Sequence, residues 1–151
     1  MIVRHTDAVE QTFALARRLG ATAPAGLWVS LNGGLGAGKT AFAQGFAAGL
    51  GVGHGVVSPT FVIAQEHPSG RVPLVHVDLY RVEDAAALEQ LGLEDRDDGC
   101  TIVLVEWAER FPELLPAARL EVEIELEGAG RALRLSATTP ALQAWLDGAL
   151  G

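Results

Sequence analysis

The 151-residue sequence has a single cysteine, Cys100, and no apolar run near the roughly 20 residues that span a bilayer. A lone cysteine excludes an intrachain disulfide framework and a cysteine-based zinc cluster. Residues 1–7 lack the basic segment followed by an apolar stretch that marks a secretion signal. These absences predict a cytoplasmic protein that is neither exported nor inserted into a membrane.

Basic residues are also scarce. The sequence has 11 lysine and arginine residues against 19 acidic residues, and its net charge is −8. The basic residues are scattered, with one adjacent pair at Arg17 and Arg18, so no positive track for a nucleic-acid backbone is visible. We therefore expect any contact with RNA to be indirect, through a partner protein.

The remaining composition predicts one globular domain over residues 1–151, because 49% of residues are hydrophobic and 20% are charged. Hydrophobic periodicity predicts a helix over residues 8–19, capped by Asp7 and stopped by Gly20, and then a buried strand over residues 27–31. Further elements are a helix over residues 39–50, a hairpin of strands over residues 60–66 and 72–78, and a short helix near residues 84–91.

The last third of the chain is predicted to form mainly strands. An uninterrupted apolar run at residues 101–105 is typical of a central strand that is buried on both faces of a parallel sheet. Residues 120–127 alternate apolar residues with glutamates, which predicts a strand with one wet face. A turn then leads to a partner strand over residues 131–136, with Arg134 opposite a glutamate, and Pro140 opens a last helix.

Residues 33–40, called here the glycine-rich loop, match G-x-x-x-x-G-K-[ST] between a predicted strand and a predicted helix. Its glycines let backbone N–H groups converge on a polyphosphate, to which the next helix directs its positive end. Lys39 supplies charge to the β- and γ-phosphates, and the Thr40 hydroxyl coordinates a magnesium ion that bridges them. The predicted nucleotide-contacting residues are Gly33, Gly34, Leu35, Gly36, Ala37, Gly38, Lys39, Thr40 and Ala41.

Two residues that occur once in the chain support this interpretation. Lys39 is the only lysine, and all other lysine-or-arginine positions carry arginine. Guanine-specific proteins with such a loop read the base through an Asn-Lys-x-Asp element, whereas here the only asparagine, Asn32, and the only lysine both lie at the loop. We therefore predict ATP as the nucleotide and Mg²⁺ as its ion.

Nucleotide hydrolysis also needs a carboxylate at the end of a buried strand beside the loop. Glu106 and Asp78 each end an apolar run, so both are candidates to hold magnesium and to orient the attacking water. Thr60 lies where segments that sense the γ-phosphate commonly occur, although a plain turn explains the same residues. His76 is interpreted as a core histidine.

Four segments together resemble a known family. Besides the glycine-rich loop they are Ser-Pro-Thr-Phe at residues 58–61, His-Val-Asp-Leu-Tyr-Arg at residues 76–81 and Val-Glu-Trp at residues 105–107. In this order and spacing they look like the bacterial TsaE family, the ATPase component of tRNA threonylcarbamoyladenosine biosynthesis. One departure is Gly34, where family members often carry aspartate. We expect little effect, because a side chain there points away from a cradle built from backbone.

The resemblance implies a three-layer α/β/α P-loop NTPase fold with a central mixed sheet, and it assigns roles to residues. Thr40 and Glu106 would hold magnesium, and Asp78 and Thr60 would act beside the γ-phosphate. The nucleotide would also lie near Trp107 and Arg131.

The resemblance further implies that the partners are the TsaD and TsaB proteins and that tRNA is contacted only through them. ATP hydrolysis would reset the TsaD–TsaB assembly between turnovers. We expect hydrolysis to be slow without these partners, because a missing positive charge costs about three to five orders of magnitude in phosphoryl transfer.

Two other functions fit the same glycine-rich loop. A small P-loop kinase would pass the phosphoryl group to a metabolite, but such enzymes usually carry an arginine-bearing lid, and the later arginines here are isolated. A nucleotide-dependent binding module would use ATP occupancy to stabilise a surface for partners. The sequence separates this second function poorly from hydrolysis, since both need the same loop.

Overall fold

The computed structural model describes residues 1–52 and 64–151 of the chain. Within these ranges the strands are β1 (Ile2–Thr6), β2 (Trp28–Gly33), β3 (Ala64–His67), β4 (Leu74–Asp78), β5 (Ile102–Glu106), β6 (Leu120–Glu127) and β7 (Gly130–Ala137). The α-helices are α1 (Val9–Thr22), α2 (Lys39–Gly49), α3 (Ala85–Glu89) and α4 (Pro140–Leu150). Short 3-10 helices lie at Leu93–Arg96, Ala108–Arg110 and Pro112–Leu114.

The described strands form one mixed sheet in the order β1-β7-β6-β2-β5-β4-β3. Strands β6, β2, β5 and β4 run parallel, and β3 and β7 pair antiparallel with their neighbours. All residues of β5 are buried between β2 and β4, which confirms the predicted central strand. The carboxyl ends of β2, β4 and β5 therefore meet at one edge of the sheet.

Apolar clusters pack on both faces of the central part of this sheet. Helices α1, α2 and α4 pack on one face, where Leu19, Phe46 and Leu146 are fully buried. On the other face, Trp28 and Val105 pack with residues of the short helical segments. This layering confirms the predicted α/β class with a central mixed sheet. The described residues include no helix long and apolar enough to cross a membrane.

The predicted end of the first helix at Gly20 is wrong, because α1 continues to Thr22. Gly20 is buried where α1 meets α2, and a Cβ atom at this position would lie 2.0 Å from the backbone oxygen of Phe46. The absence of a side chain at Gly20 therefore allows α1 and α2 to approach closely. Asp7 does not cap the helix either: Ala8 occupies that position without a side-chain bond, and the Asp7 N–H donates to Gln11.

Both predicted hairpins are present. Strands β3 and β4 pair antiparallel, although β3 is described only from Ala64 and β4 begins at Leu74. In the β6–β7 hairpin, Arg134 lies opposite Glu123 and forms an ion pair with Glu125 at 2.8 Å. Strand β1 was not predicted; it pairs with β7 and brings the N-terminal segment beside the C-terminal hairpin.

Candidate functional site

A pocket of about 510 Å³ opens where the carboxyl ends of β4 and β5 meet the glycine-rich loop. The loop connects β2 to α2, so the predicted order of strand, loop and helix is present. The site residues predicted from the sequence that line this pocket are Leu35, Gly36, Ala37, Gly38, Lys39, Thr40, Ala41, Asp78, Glu106, Trp107 and Arg131. The other two described candidates, Gly33 and Gly34, lie just before this stretch of the loop.

Three glycines permit the backbone conformation of the glycine-rich loop. Gly36 and Gly38 have φ angles of 76° and 109°, in the left-handed region that side chains disfavour. A Cβ atom at Gly33 would lie 2.5 Å from the backbone oxygen of Ile124. Since Gly38 directly precedes α2, the unpaired N–H groups of the first helical turn begin beside the loop. Such a concavity suits an anion.

Gly34, where the resemblance leads one to expect aspartate, faces open space. A Cβ atom placed there would meet no atom within 4 Å. A side chain at this position would therefore fit without moving the loop, in keeping with the expectation that the departure has little effect.

Lys39 begins α2 and folds back across the loop. Its Nζ atom donates hydrogen bonds to the backbone oxygens of Gly33 and Gly34, the second at 2.8 Å. The same atom lies 4.1 Å from the ring centroid of Trp107. Burial lowers the pKa of Lys39, while the charges of Glu106, Glu109 and Asp78 oppose that shift. These carbonyl and ring contacts hold the single lysine at the pocket.

Asp78 and Glu106 end neighbouring parallel strands and lie opposite each other in the register. Their exposed fractions are 7% and 2%, so both carboxyls are buried. Burial raises the pKa of Asp78, the Tyr80 N–H that donates to it at 2.9 Å lowers it, and the nearby Glu106 raises it. The two strand-end acids predicted from the sequence thus converge beside the glycine-rich loop.

His76 contacts Glu106 directly. The imidazole Nε2 lies 2.6 Å from the carboxylate Oε2, and both side chains are almost fully buried. The sequence alone identifies His76 as a core histidine and gives no link to Glu106. The connection depends on the register of β4 and β5, which places residues 76 and 106 diagonally across the two strands.

Trp107 follows β5 with a φ of 59°, the only positive φ among the described residues other than glycine. For a bulky side chain this conformation is strained, and such strain is common at functional sites. The indole packs against the ring of Tyr80, with centroids 4.9 Å apart. The turn therefore presents one indole to both Tyr80 and Lys39.

Arg131 reaches the loop from the C-terminal hairpin. Its Nε donates to the Ala37 oxygen at 2.9 Å, and its Nη2 donates to the Gly36 oxygen at 3.1 Å. The resemblance placed this residue near the nucleotide. The guanidinium does line the pocket, and it braces the backbone of the loop.

Of the remaining candidates, two line the pocket and one lies outside the described residues. Thr40 and Ala41, in the first turn of α2, line the pocket, and Thr40 is exposed. Thr60 lies outside the described residues. The N-terminal segment approaches the same region, where a smaller pocket of about 240 Å³ lies between Val9 and Arg131.

A magnesium ion fits the donor set of this pocket. The described residues contain no group of three His, Cys, Asp or Glu side chains that could hold an ion alone. Magnesium, however, is usually bound by one or two carboxylates together with substrate phosphates and water. The oxygen donors of Thr40, Asp78 and Glu106 line one pocket and match that chemistry.

Comparison with known proteins gives one consistent family. The family model described as "Threonylcarbamoyl adenosine biosynthesis protein TsaE" matches residues 6–133. The tRNA threonylcarbamoyladenosine biosynthesis protein TsaE of Bacillus subtilis is 46% identical over 119 residues, which cover 79% of this chain and 74% of that protein. The corresponding protein of Streptomyces coelicolor is 46% identical over 114 residues, covering 74% and 76% of the two chains.

A solved structure agrees with the sequence relatives. The crystal structure of Bacillus subtilis YdiB superposes with a TM-score of 0.85 at 34% identity, covering 98% of this chain and 93% of that one. The predicted resemblance is thereby confirmed over most of the chain. The chain belongs to the TsaE family of threonylcarbamoyl adenosine biosynthesis proteins.

Proposed function

We propose that the chain binds MgATP in the pocket beside the glycine-rich loop and hydrolyses it as the nucleotide-dependent component of tRNA threonylcarbamoyladenosine biosynthesis. The observation that carries this proposal is the convergence of Lys39, Asp78 and Glu106 on one pocket at the mouth of an N–H-lined loop. A cytoplasmic location, inferred from the sequence, belongs to the same proposal.

In this reaction the chain's own residues would bind the phosphates, hold the magnesium ion and orient the attacking water. The backbone N–H groups of the loop and the first turn of α2 bind the phosphates, and Lys39 moves from its carbonyl contacts to the β- and γ-phosphate oxygens. Thr40 and Glu106 hold the magnesium ion, which when bound neutralises phosphate charge. Asp78 orients the attacking water and is the candidate proton acceptor of the reaction. Thr60 remains a predicted contact of the γ-phosphate.

Partner stimulation follows from the charges at the pocket. Of the described residues that line it, Lys39 and Arg131 are the basic ones, and Arg131 is bonded to loop carbonyls. An additional positive charge at the γ-phosphate is worth about 10³–10⁵ in rate. We propose that the TsaD–TsaB assembly completes the site and contacts the tRNA. A chain with a net charge of −8 suits a protein partner better than a nucleic acid.

The test measures phosphate release from ATP by the chain alone and with TsaD and TsaB, for the wild type, Glu106→Gln and the control Glu113→Gln. Glu113 is exposed and lies outside the pocket. We expect slow hydrolysis alone, faster hydrolysis with partners, and loss of both in Glu106→Gln, whereas Glu113→Gln should behave as the wild type.

Three outcomes would contradict this function. Full-speed hydrolysis without any gain from the partners would remove the proposed stimulation. Pathway activity that survives in Glu106→Gln would favour a nucleotide-dependent binding module, and phosphate transfer to a small acceptor in preference to water would favour a kinase.

A further inference from the structure

His76 is a polar side chain in an otherwise apolar stretch of the sheet. It lies in the middle of β4, where its neighbours along the strand are Val75 and Val77, and its exposed fraction is 1%. In the register it faces Leu104 of β5. Burying an imidazole is unfavourable unless its ring nitrogens are hydrogen-bonded, so the partners of this ring are the next question.

One ring nitrogen of His76 is satisfied by Glu106 and the other is not. The Nε2–Oε2 distance is 2.6 Å, whereas Nδ1 is buried and has no hydrogen-bond partner among the described residues. A carboxylate that holds a metal ion only accepts hydrogen bonds, so in the role proposed for Glu106 the His76 Nε2 is the donor of this bond. Among the described residues, the ring therefore has a single side-chain hydrogen-bond partner, and that partner is Glu106.

The contact engages one oxygen of Glu106, and the same residue lines the pocket. Strand β4 holds the His76 backbone, and the packed sheet leaves little room for the ring to turn. The hydrogen bond therefore restricts rotation of the carboxylate about its terminal bond. Ligands to a metal ion are commonly oriented by such an outer hydrogen bond, and loss of that partner costs about 10- to 100-fold in metal affinity.

We propose that His76 is a positioning residue, whose Nε2–H orients the Glu106 carboxylate so that its second oxygen faces the ion of a bound metal–nucleotide complex. This inference rests on the proposed function, since it assigns a role to His76 only if Glu106 holds the ion. It goes beyond that function by placing a determinant of metal affinity in a residue that does not line the pocket, two positions before Asp78 on β4.

The test uses two substitutions that differ in which ring nitrogen they imitate. In His76→Gln the side-chain amide nitrogen reaches the region of Nε2, whereas in His76→Asn it reaches only the region of Nδ1. Each variant of the full chain is saturated with ADP, and Mn²⁺ is titrated in place of Mg²⁺, with free Mn²⁺ followed by electron paramagnetic resonance. ADP binding in EDTA and the melting temperature are measured in parallel, and His67→Asn is the control for an imidazole on the neighbouring strand.

We expect His76→Asn to weaken Mn²⁺ binding about 10- to 100-fold and His76→Gln to retain most of the wild-type affinity, with metal-free ADP binding unchanged. Should His76→Asn fail to fold, His76→Leu replaces it as a side chain that cannot donate. Equal Mn²⁺ affinity in the Gln and non-donating variants, whether both strong or both weak, would overturn the proposal. Absence of ADP-dependent Mn²⁺ binding in the wild type would instead refute the proposed function.

Discussion

Replacement of Arg131 by leucine tests whether the C-terminal hairpin holds the glycine-rich loop ready for a ligand. Arg131→Leu retains an apolar stem on β7 but removes the two guanidinium hydrogen bonds to the oxygens of Ala37 and Gly36. Because those oxygens belong to the loop itself, their loss frees the loop to leave the conformation that gathers its N–H groups. We expect weaker binding of MgADP.

The size of this effect follows from the two bonds. Each is worth about 0.5–1.5 kcal/mol of net stabilisation, towards the lower end where water competes, as it does at the exposed Nη2 of Arg131. In the variant, ordering the loop when MgADP binds would therefore cost about 1–3 kcal/mol more than in the wild type. At about 1.4 kcal/mol for each factor of ten, the affinity for MgADP should fall roughly 5- to 150-fold.

Isothermal titration calorimetry measures the affinity, and hydrogen exchange of the nucleotide-free chain separates two roles for Arg131. If the guanidinium braces the loop, the amides of residues 34–38 exchange faster in Arg131→Leu before any ligand is added. If it acts only as a phosphate ligand, exchange in the nucleotide-free chain is unchanged. The control is Arg134→Leu on the same strand, whose guanidinium pairs with Glu125. An equal loss of affinity in both variants, or unchanged exchange in Arg131→Leu, would refute the bracing role.

Two further predictions concern stability. A Cβ atom at Gly45 would lie 2.2 Å from the backbone oxygen of Phe13, so Gly45→Ala should lower the free energy of unfolding by about 1–3 kcal/mol, whereas Gly148→Ala, with no atom within 4 Å, should raise it by about 0.5–1 kcal/mol. Chemical denaturation measures both, and shifts of the same sign would contradict the close helix contact. Burial raises the pKa of Asp78, so the folded chain keeps this proton at pH values above 3.8 at which the unfolded chain has lost it. The contribution of Asp78 to the stability of the nucleotide-free chain therefore falls as the pH rises through that interval, and Asp78→Asn should be the more stable chain at neutral pH, with a difference from the wild type that shrinks in acid. A difference that is independent of pH would argue against burial as its cause.

The sequence predicts best those features whose physical cause is local. The glycine-rich loop needs its residue types within eight consecutive positions. The alternation predicts the buried face of β6 correctly at Leu120, Val122 and Ile124, whereas Leu126, near the end of the strand, is exposed. The strand-end carboxyls at residues 78 and 106 were also predictable, because each follows an apolar run and parallel strands end at a common edge.

Features that depend on distant partners could not be predicted in the same way. Gly20 resembles a helix stop, but it is required by the approach of Phe46 on another helix. Strand β1 is defined by its pairing with β7, whose residues follow more than 120 positions later. The contact between His76 and Glu106 depends on the register of two strands, and a residue pattern alone does not specify a register.

Titration of the purified chain with MgADP tests the central claim most directly, with Lys39→Ala beside the wild type and circular dichroism to show that both are folded. Lys39 is the ammonium group that the loop carbonyls and Trp107 hold at the pocket. The account predicts saturable binding of one nucleotide per chain and its loss, or a severe weakening, in Lys39→Ala. A folded wild-type chain that does not bind MgADP, or an affinity left intact by Lys39→Ala, would contradict it.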